Sequence, residues 1–134
     1  MTSAMMPPIH DAAVSSGRHV AWMFELAVKE GREAEFRSLM AEMAEATQRD
    51  EPGTLDYEWY VTDDGRRLHL FERYADAGAA MTHLATFGER YMGRFFGVLA
   101  PERMTLYGAP DDRVRGALAQ LAPQVMARVA GFSR

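Results

Sequence analysis

The chain of 134 residues contains no cysteine. That excludes disulfides, thiolate nucleophiles and cysteine-ligated zinc or iron–sulfur centres. Lys29 is the only lysine among fifteen basic residues, so Schiff-base chemistry would rest on one side chain. No apolar run approaches the roughly 20 residues that span a bilayer. A net charge of -4 gives no electrostatic footprint for nucleic acid or an anionic membrane. There is no G-x-S-x-G, no Gly-rich phosphate loop and no basic strip interleaved with aromatics. The histidines, His10, His19, His69 and His83, show no H-x-x-x-H or H-E-x-x-H spacing, so no metal site is expected. What is present is an ordinary globular balance, 48% hydrophobic, in a length that suits one domain with one core.

Residues 1–17 lack a basic n-region and a continuous apolar h-region, so they read as a mobile leader rather than a secretory signal. The protein is expected to be soluble and cytoplasmic. A domain over 18–109 and a helical extension over 110–134 follow. His19 to Val28 (HVAWMFELAV) is β-prone and apolar on both faces, the pattern of a strand covered on both sides. Arg32 to about Arg49 carries Phe36, Leu39, Met40, Met43 and Thr47 on one helical stripe, and Pro52-Gly53 stops it. Thr54 to Thr62 alternates, with Leu55, Tyr57, Trp59 and Val61 on one face, and Asp63-Asp64-Gly65 turns the chain into a return strand from Arg67 to Tyr74. Asp76 is a helix N-cap. The helix it starts presents Ala80, His83, Leu84 and Phe87 on one stripe, and Gly88 is expected to bend it. An aromatic segment from Glu89 to Leu99 precedes Pro101, and Arg103 to Gly108 reads as a fourth strand. Asp111 or Asp112 then caps a last helix with Val114, Leu118 and Leu121 on one face, which Pro123 breaks, leaving a short turn through Val129.

This order predicts an α+β, ferredoxin-like domain: a four-stranded antiparallel sheet with helices on one face. The other sheet face, expected to carry Trp, Tyr, Phe and Met, needs cover, and a second copy of the same sheet supplies it. A two-fold homodimer is therefore expected. The apolar stripe of the last helix is expected to pack on the partner subunit.

The run Glu51-Pro52-Gly53-Thr54-Leu55-Asp56-Tyr57-Glu58-Trp59-Tyr60, the strand 68–74 (LHLFERY) and the segment 75–84 (ADAGAAMTHL) together resemble the antibiotic biosynthesis monooxygenase family. Glu51, Gly53 and Tyr57, then Glu72 and Tyr74, then Ala79 or Ala80 and His83 fill the places of its pattern, and the resemblance covers about residues 18–109. Two departures stand out. Ala85 to Glu89 lacks the second histidine of many members. The haem-degrading branch would need an asparagine on the first strand and a tryptophan near Tyr74, and neither is there. The resemblance implies a dimeric α/β barrel that oxidises a quinol, a phenol or a polycyclic aromatic molecule with O2, using neither metal nor flavin. A catalytically silent dimer that binds a small aromatic molecule is the alternative, and a haem-binding or haem-degrading role ranks behind both.

The chemistry expected of such a site is removal of a substrate hydroxyl proton, which makes an anion oxidisable by O2, inside a pocket that excludes water. His83 is the candidate base, since imidazole titrates near neutral pH; a plain core histidine is the competing reading. Glu72 is a mid-strand carboxylate that needs a partner. It either orients His83 and binds a substrate hydroxyl, or pairs with Arg67 or Arg73 across the dimer seam. Trp22, Tyr74, Phe87, Tyr91 and Phe95 are the candidate substrate-binding walls, although an aromatic stripe also fits simple core packing.

Overall fold

The computed structural model describes residues 18–134; the expected leader lies outside the described residues. Strand β1 (Val20–Val28) leads to helix α1 (Glu33–Asp50), the hairpin of β2 (Thr54–Val61) and β3 (Arg67–Tyr74), then helices α2 (Ala77–Arg90) and α3 (Met92–Val98). Strand β4 (Leu99–Gly108), helix α4 (Asp112–Leu118), a 3-10 turn (Ala119–Leu121) and strand β5 (Gln124–Met126) complete it. The sheet order is β2-β3-β1-β4-β5. The first four strands pair antiparallel, giving the expected ferredoxin-like α+β plan. No helix among the described residues is long and apolar enough to cross a membrane.

The core follows from strand alternation. Val20, Trp22, Phe24 and Leu26 of β1 are buried beside Leu68, Leu70, Glu72 and Tyr74 of β3. Phe36, Leu39 and Met43 of α1 and Phe95 and Val98 of α3 close over them. The tryptophans therefore lie on the helix-covered face. The opposite face carries Met23, Phe71 and Tyr107 among charged groups: Arg73 pairs with Asp56, and Glu25 lies 3.5 Å from His69 and 3.8 Å from Arg103.

Several boundaries differ from the sequence reading. Leu55 occupies a register shift between Thr54 and Asp56 and is exposed, because the bulge takes it out of the alternation. Helix α2 runs through Gly88 and ends at Tyr91, whose φ of -122° breaks the helical path. Strand β4 begins at Leu99 rather than Arg103. Pro101 is tolerated because the β1–β4 register shifts there, freeing its missing N–H from the ladder. The turn expected after Pro123 is instead β5, parallel to β4, so the sheet has five strands among the described residues. Ala122, at φ 48° and ψ 55°, turns the chain, and residues 124–126 take up the open ladder groups of the β4 edge.

Two side-chain devices place the segments around the site. Asp76 Oδ1 accepts from Ala79 N–H at the start of α2, and Asp111 Oδ1 accepts from Val114 N–H at the start of α4, each satisfying a free helix donor. A Cβ on Gly53 would stand 2.7 Å from Ala79 Cβ. The turn after α1 thus rests directly on α2, close to Glu51 and His83.

Candidate active site

His83 sits at the centre of a buried polar chain, one turn along α2 from Ala80, on the stripe that faces the sheet. Its Nδ1 donates to Glu51 Oε1 at 2.7 Å, and its Nε2 lies 3.1 Å from Glu72 Oε1. Thr54 Oγ1 also donates to Glu51 Oε1, at 3.0 Å, and the Tyr74 hydroxyl donates to Glu72 Oε1. His83, Glu51, Glu72 and Tyr74 are all under a tenth exposed. Burial alone would push the His83 pKa down. Its hydrogen bonds to Glu51 and Glu72, with the two negative charges, outweigh burial and raise it to about 9. At neutral pH His83 is an imidazolium between two acids.

One side of this chain faces a cavity of about 50 Å³. Trp22, Phe24, Tyr57, Phe87, Phe95 and Phe96 are among the side chains that line it, with Glu72 and His83 as its ionisable acid and base. A cavity of about 150 Å³ accommodates benzene, so an aromatic ligand enters only when wall side chains move. Leu118 and Leu121 belong to that wall, and Val114 and Leu118 are buried in their own chain. The last helix therefore covers the cavity rather than awaiting a partner subunit, because its apolar stripe meets α2 and the 3-10 turn reaches β4. Burial first, then the Glu72 and Glu51 charges, raises the Tyr57 pKa far above its ordinary value. Its hydroxyl has no hydrogen-bond partner among the described residues.

The sequence candidates divide as follows. Trp22, Phe87 and Phe95 line the cavity with His83 and Glu72. Tyr74 is fully buried behind it, with its ring 4.8 Å from Trp22 and 5.4 Å from His83, and it holds Glu72 rather than forming wall. Tyr91 lies elsewhere, in a cleft between α1 and α2, because the break at the α2–α3 junction turns it away from Phe95. Glu72 pairs with neither Arg67 nor Arg73. Strand alternation puts it on the core face, while Arg67 pairs with Glu102 and Arg73 with Asp56. Glu51 received no chemical role from the sequence. A signal existed: a carboxylate closing a helix at its negative end is misplaced unless it has a partner. Glu51 and Glu72 lie on opposite edges of one imidazole ring and do not converge on a point; among the described residues no three His, Asp or Glu groups could share a metal ion.

Residues 20–90 match the antibiotic biosynthesis monooxygenase family. None of the curated proteins matches the chain. Among solved structures, MupZ from Pseudomonas fluorescens is similar with a TM-score of 0.75 and 28% identity, over 87% of this chain and 95% of that one. SnoaB, a cofactor-independent oxygenase from Streptomyces nogalater, gives 0.58 and 22% over 69% and 94%. A conserved protein from Methanosarcina mazei gives 0.59 and 24% over 69% and 93%. The last two likenesses concern the fold alone. With the family match spanning β1 through α2, and Glu51, Glu72 and His83 all inside it, the chain belongs to the antibiotic biosynthesis monooxygenase family.

Proposed function

We propose that the protein is a cofactor-independent monooxygenase acting on a small phenolic or quinol-type aromatic. The observation that carries the reading is an acid–base chain, Glu51–His83–Glu72, set into the wall of an otherwise apolar cavity. A hydroxyl of the ligand lying against Glu72 gives up its proton to the Glu72–His83 pair, and the imidazolium stabilises the anions left beside it. The substrate anion passes one electron to O2; the resulting radical and superoxide join as a peroxide anion, which takes the proton back from the Glu72–His83 pair, and the hydroperoxide then loses water, with the hydrogen of the same carbon, to leave a carbonyl. The apolar walls keep water from these intermediates.

Two features shape this assignment. His83 holds a proton at neutral pH, so Glu72 is the first acceptor and His83 the group that shares the proton. Both ring nitrogens of His83 face carboxylates, which leaves neither for a haem iron and weighs against the haem reading. A second reading has its own support: an imidazolium beside a carboxylate is a general acid next to a general base, which suits proton-transfer catalysis that consumes no oxygen. The outer sheet face, with Met23, Phe71 and Tyr107 half-buried, supports a homodimer through that face.

Oxygen uptake with hydroquinones, polyhydroxylated naphthalenes and anthrones tests the reading, with Glu72→Gln and His83→Ala beside the unchanged chain. Uptake above autoxidation that falls by about 100-fold or more in both variants is the expected result. Turnover without uptake would favour the second reading, and tight binding without turnover a silent binding module.

A further inference from the structure

The chain of acids has two ends, and they open on different surroundings. The Glu72 end meets the apolar cavity. The Glu51 end lines a separate cleft of about 220 Å³ between α1 and α2, with room for several waters. Thr47, Asp50, Thr86, Arg90 and Tyr91 line it with Glu51. His83 stands between the two spaces, one ring nitrogen turned toward each. We propose that Glu51 is the proton port of the site: it exchanges the Nδ1 proton of His83 with the solvent of the polar α1–α2 cleft, so that His83 gains or loses a proton that never crosses the apolar cavity.

The proton path is short. His83 Nδ1–H passes its proton 2.7 Å to Glu51 Oε1, and the Glu51 carboxyl passes it to water in the cleft; recharging runs the same two steps backwards. Thr54 Oγ1–H holds the carboxylate from β2, and Gly53 pressed on Ala79 fixes the turn. The charged and titratable groups around the port are Asp50 on α1, Arg90 and Tyr91 at the end of α2, and Glu72, Tyr57 and Tyr74 from the sheet. Substrate and proton thereby use separate entrances. Without the port, every change in His83 protonation would pass through the space that must exclude water. The role assigned to Glu51 in turnover rests on the proton abstraction proposed above, but the port itself can be tested without turnover.

The experiment is solvent exchange of the His83 Nδ1 proton by NMR on the full chain at pH 6, where His83 is charged. It compares the unchanged protein with Glu51→Gln, Glu72→Gln and Thr86→Leu, the last adding apolar bulk to the cleft lining. Glu51→Gln is expected to slow exchange about 100-fold, the lower end of what a positioned acid–base group contributes. Thr86→Leu is expected to slow it too, and Glu72→Gln to leave it unslowed. Removing the Glu51 charge also lowers the His83 pKa, which by itself speeds exchange, so slowing cannot come from a merely structural loss. Slowing in Glu72→Gln with none in Glu51→Gln would mean exchange through the cavity and would overturn the proposal. Exchange at the unchanged rate in both Glu51→Gln and Thr86→Leu would mean local opening and would overturn it as well. If Glu51→Gln does not fold, Thr86→Leu decides by the same criterion. A port that behaves as expected in a protein that takes up no oxygen would refute the oxygenation alone.

Discussion

Raising the pH should weaken the fold through one buried residue, His83. His83 titrates near 6.5 in an unfolded chain and near 9 in the folded one. A folded pKa above the unfolded value means the stabilisation is complete below pH 6.5 and is lost as pH climbs to about 9. The His83 side chain is only 6% exposed, so solvent screening takes little from the effect. The difference is worth about 3 kcal/mol, with a slope approaching 1.4 kcal/mol per pH unit in mid-window. That is a large part of an ordinary domain stability of roughly 5–15 kcal/mol. Urea unfolding at pH 6, 7, 8 and 9 measures it, and the midpoint should fall by about 1–2 M at constant slope. His83→Asn should start less stable and show little of this pH dependence. A flat stability curve between pH 6.5 and 9 in the unchanged protein would refute the buried imidazolium, and with it the order of proton transfers proposed above.

Other expectations concern the supports of the site. Leu118→Ala removes a buried cavity wall and should cost about 2–5 kcal/mol in thermal unfolding, while the enlarged cavity should gain binding of benzene-sized ligands, seen as a thermal shift. Gly53→Ala forces a contact of 2.7 Å with Ala79 Cβ and should cost about 1–3 kcal/mol; unfolding at unchanged stability would show that the turn can retreat. Asp76→Ala leaves the Ala79 N–H without its cap and should cost about 1 kcal/mol, read in the same melts. Phe71→Glu on the outer sheet face should shift the protein toward monomer in light scattering, and an unchanged mass would argue against that face as the seam.

Local rules carried most of the fold. The turn at 63–65, the return strand over 67–74 and the caps at Asp76 and Asp111 follow from short-range chemistry, and the structure places them as expected. The misreadings come from places where a long-range contact decides. Pro101 reads as a terminator until β1 supplies a bulge for it, and the tail after Pro123 reads as a turn until the edge of β4 accepts it. The site divides in the same way. Helical spacing puts His83 on the core-facing stripe, and the family resemblance marks it as a candidate base. Glu72 is visible as a costly carboxylate, but its partner is not, because the alternation that separates it from Arg67 and Arg73 matters only once β3 is paired. Glu51 and His83 lie 32 residues apart, and only the pressed turn at Gly53 joins them.

The tail also contributes to the cavity from outside the family segment. The acid–base chain comes from residues 51, 72 and 83, within the segment shared with the family, whereas Leu118 and Leu121 of the cavity wall come from beyond it. The acid–base chain and this part of the cavity wall are thus written in different stretches of the polypeptide. Exchanging residues 111–121 for another apolar helix would reshape which molecules fit without touching the proton-handling groups, making the tail a natural place to retune selectivity by design.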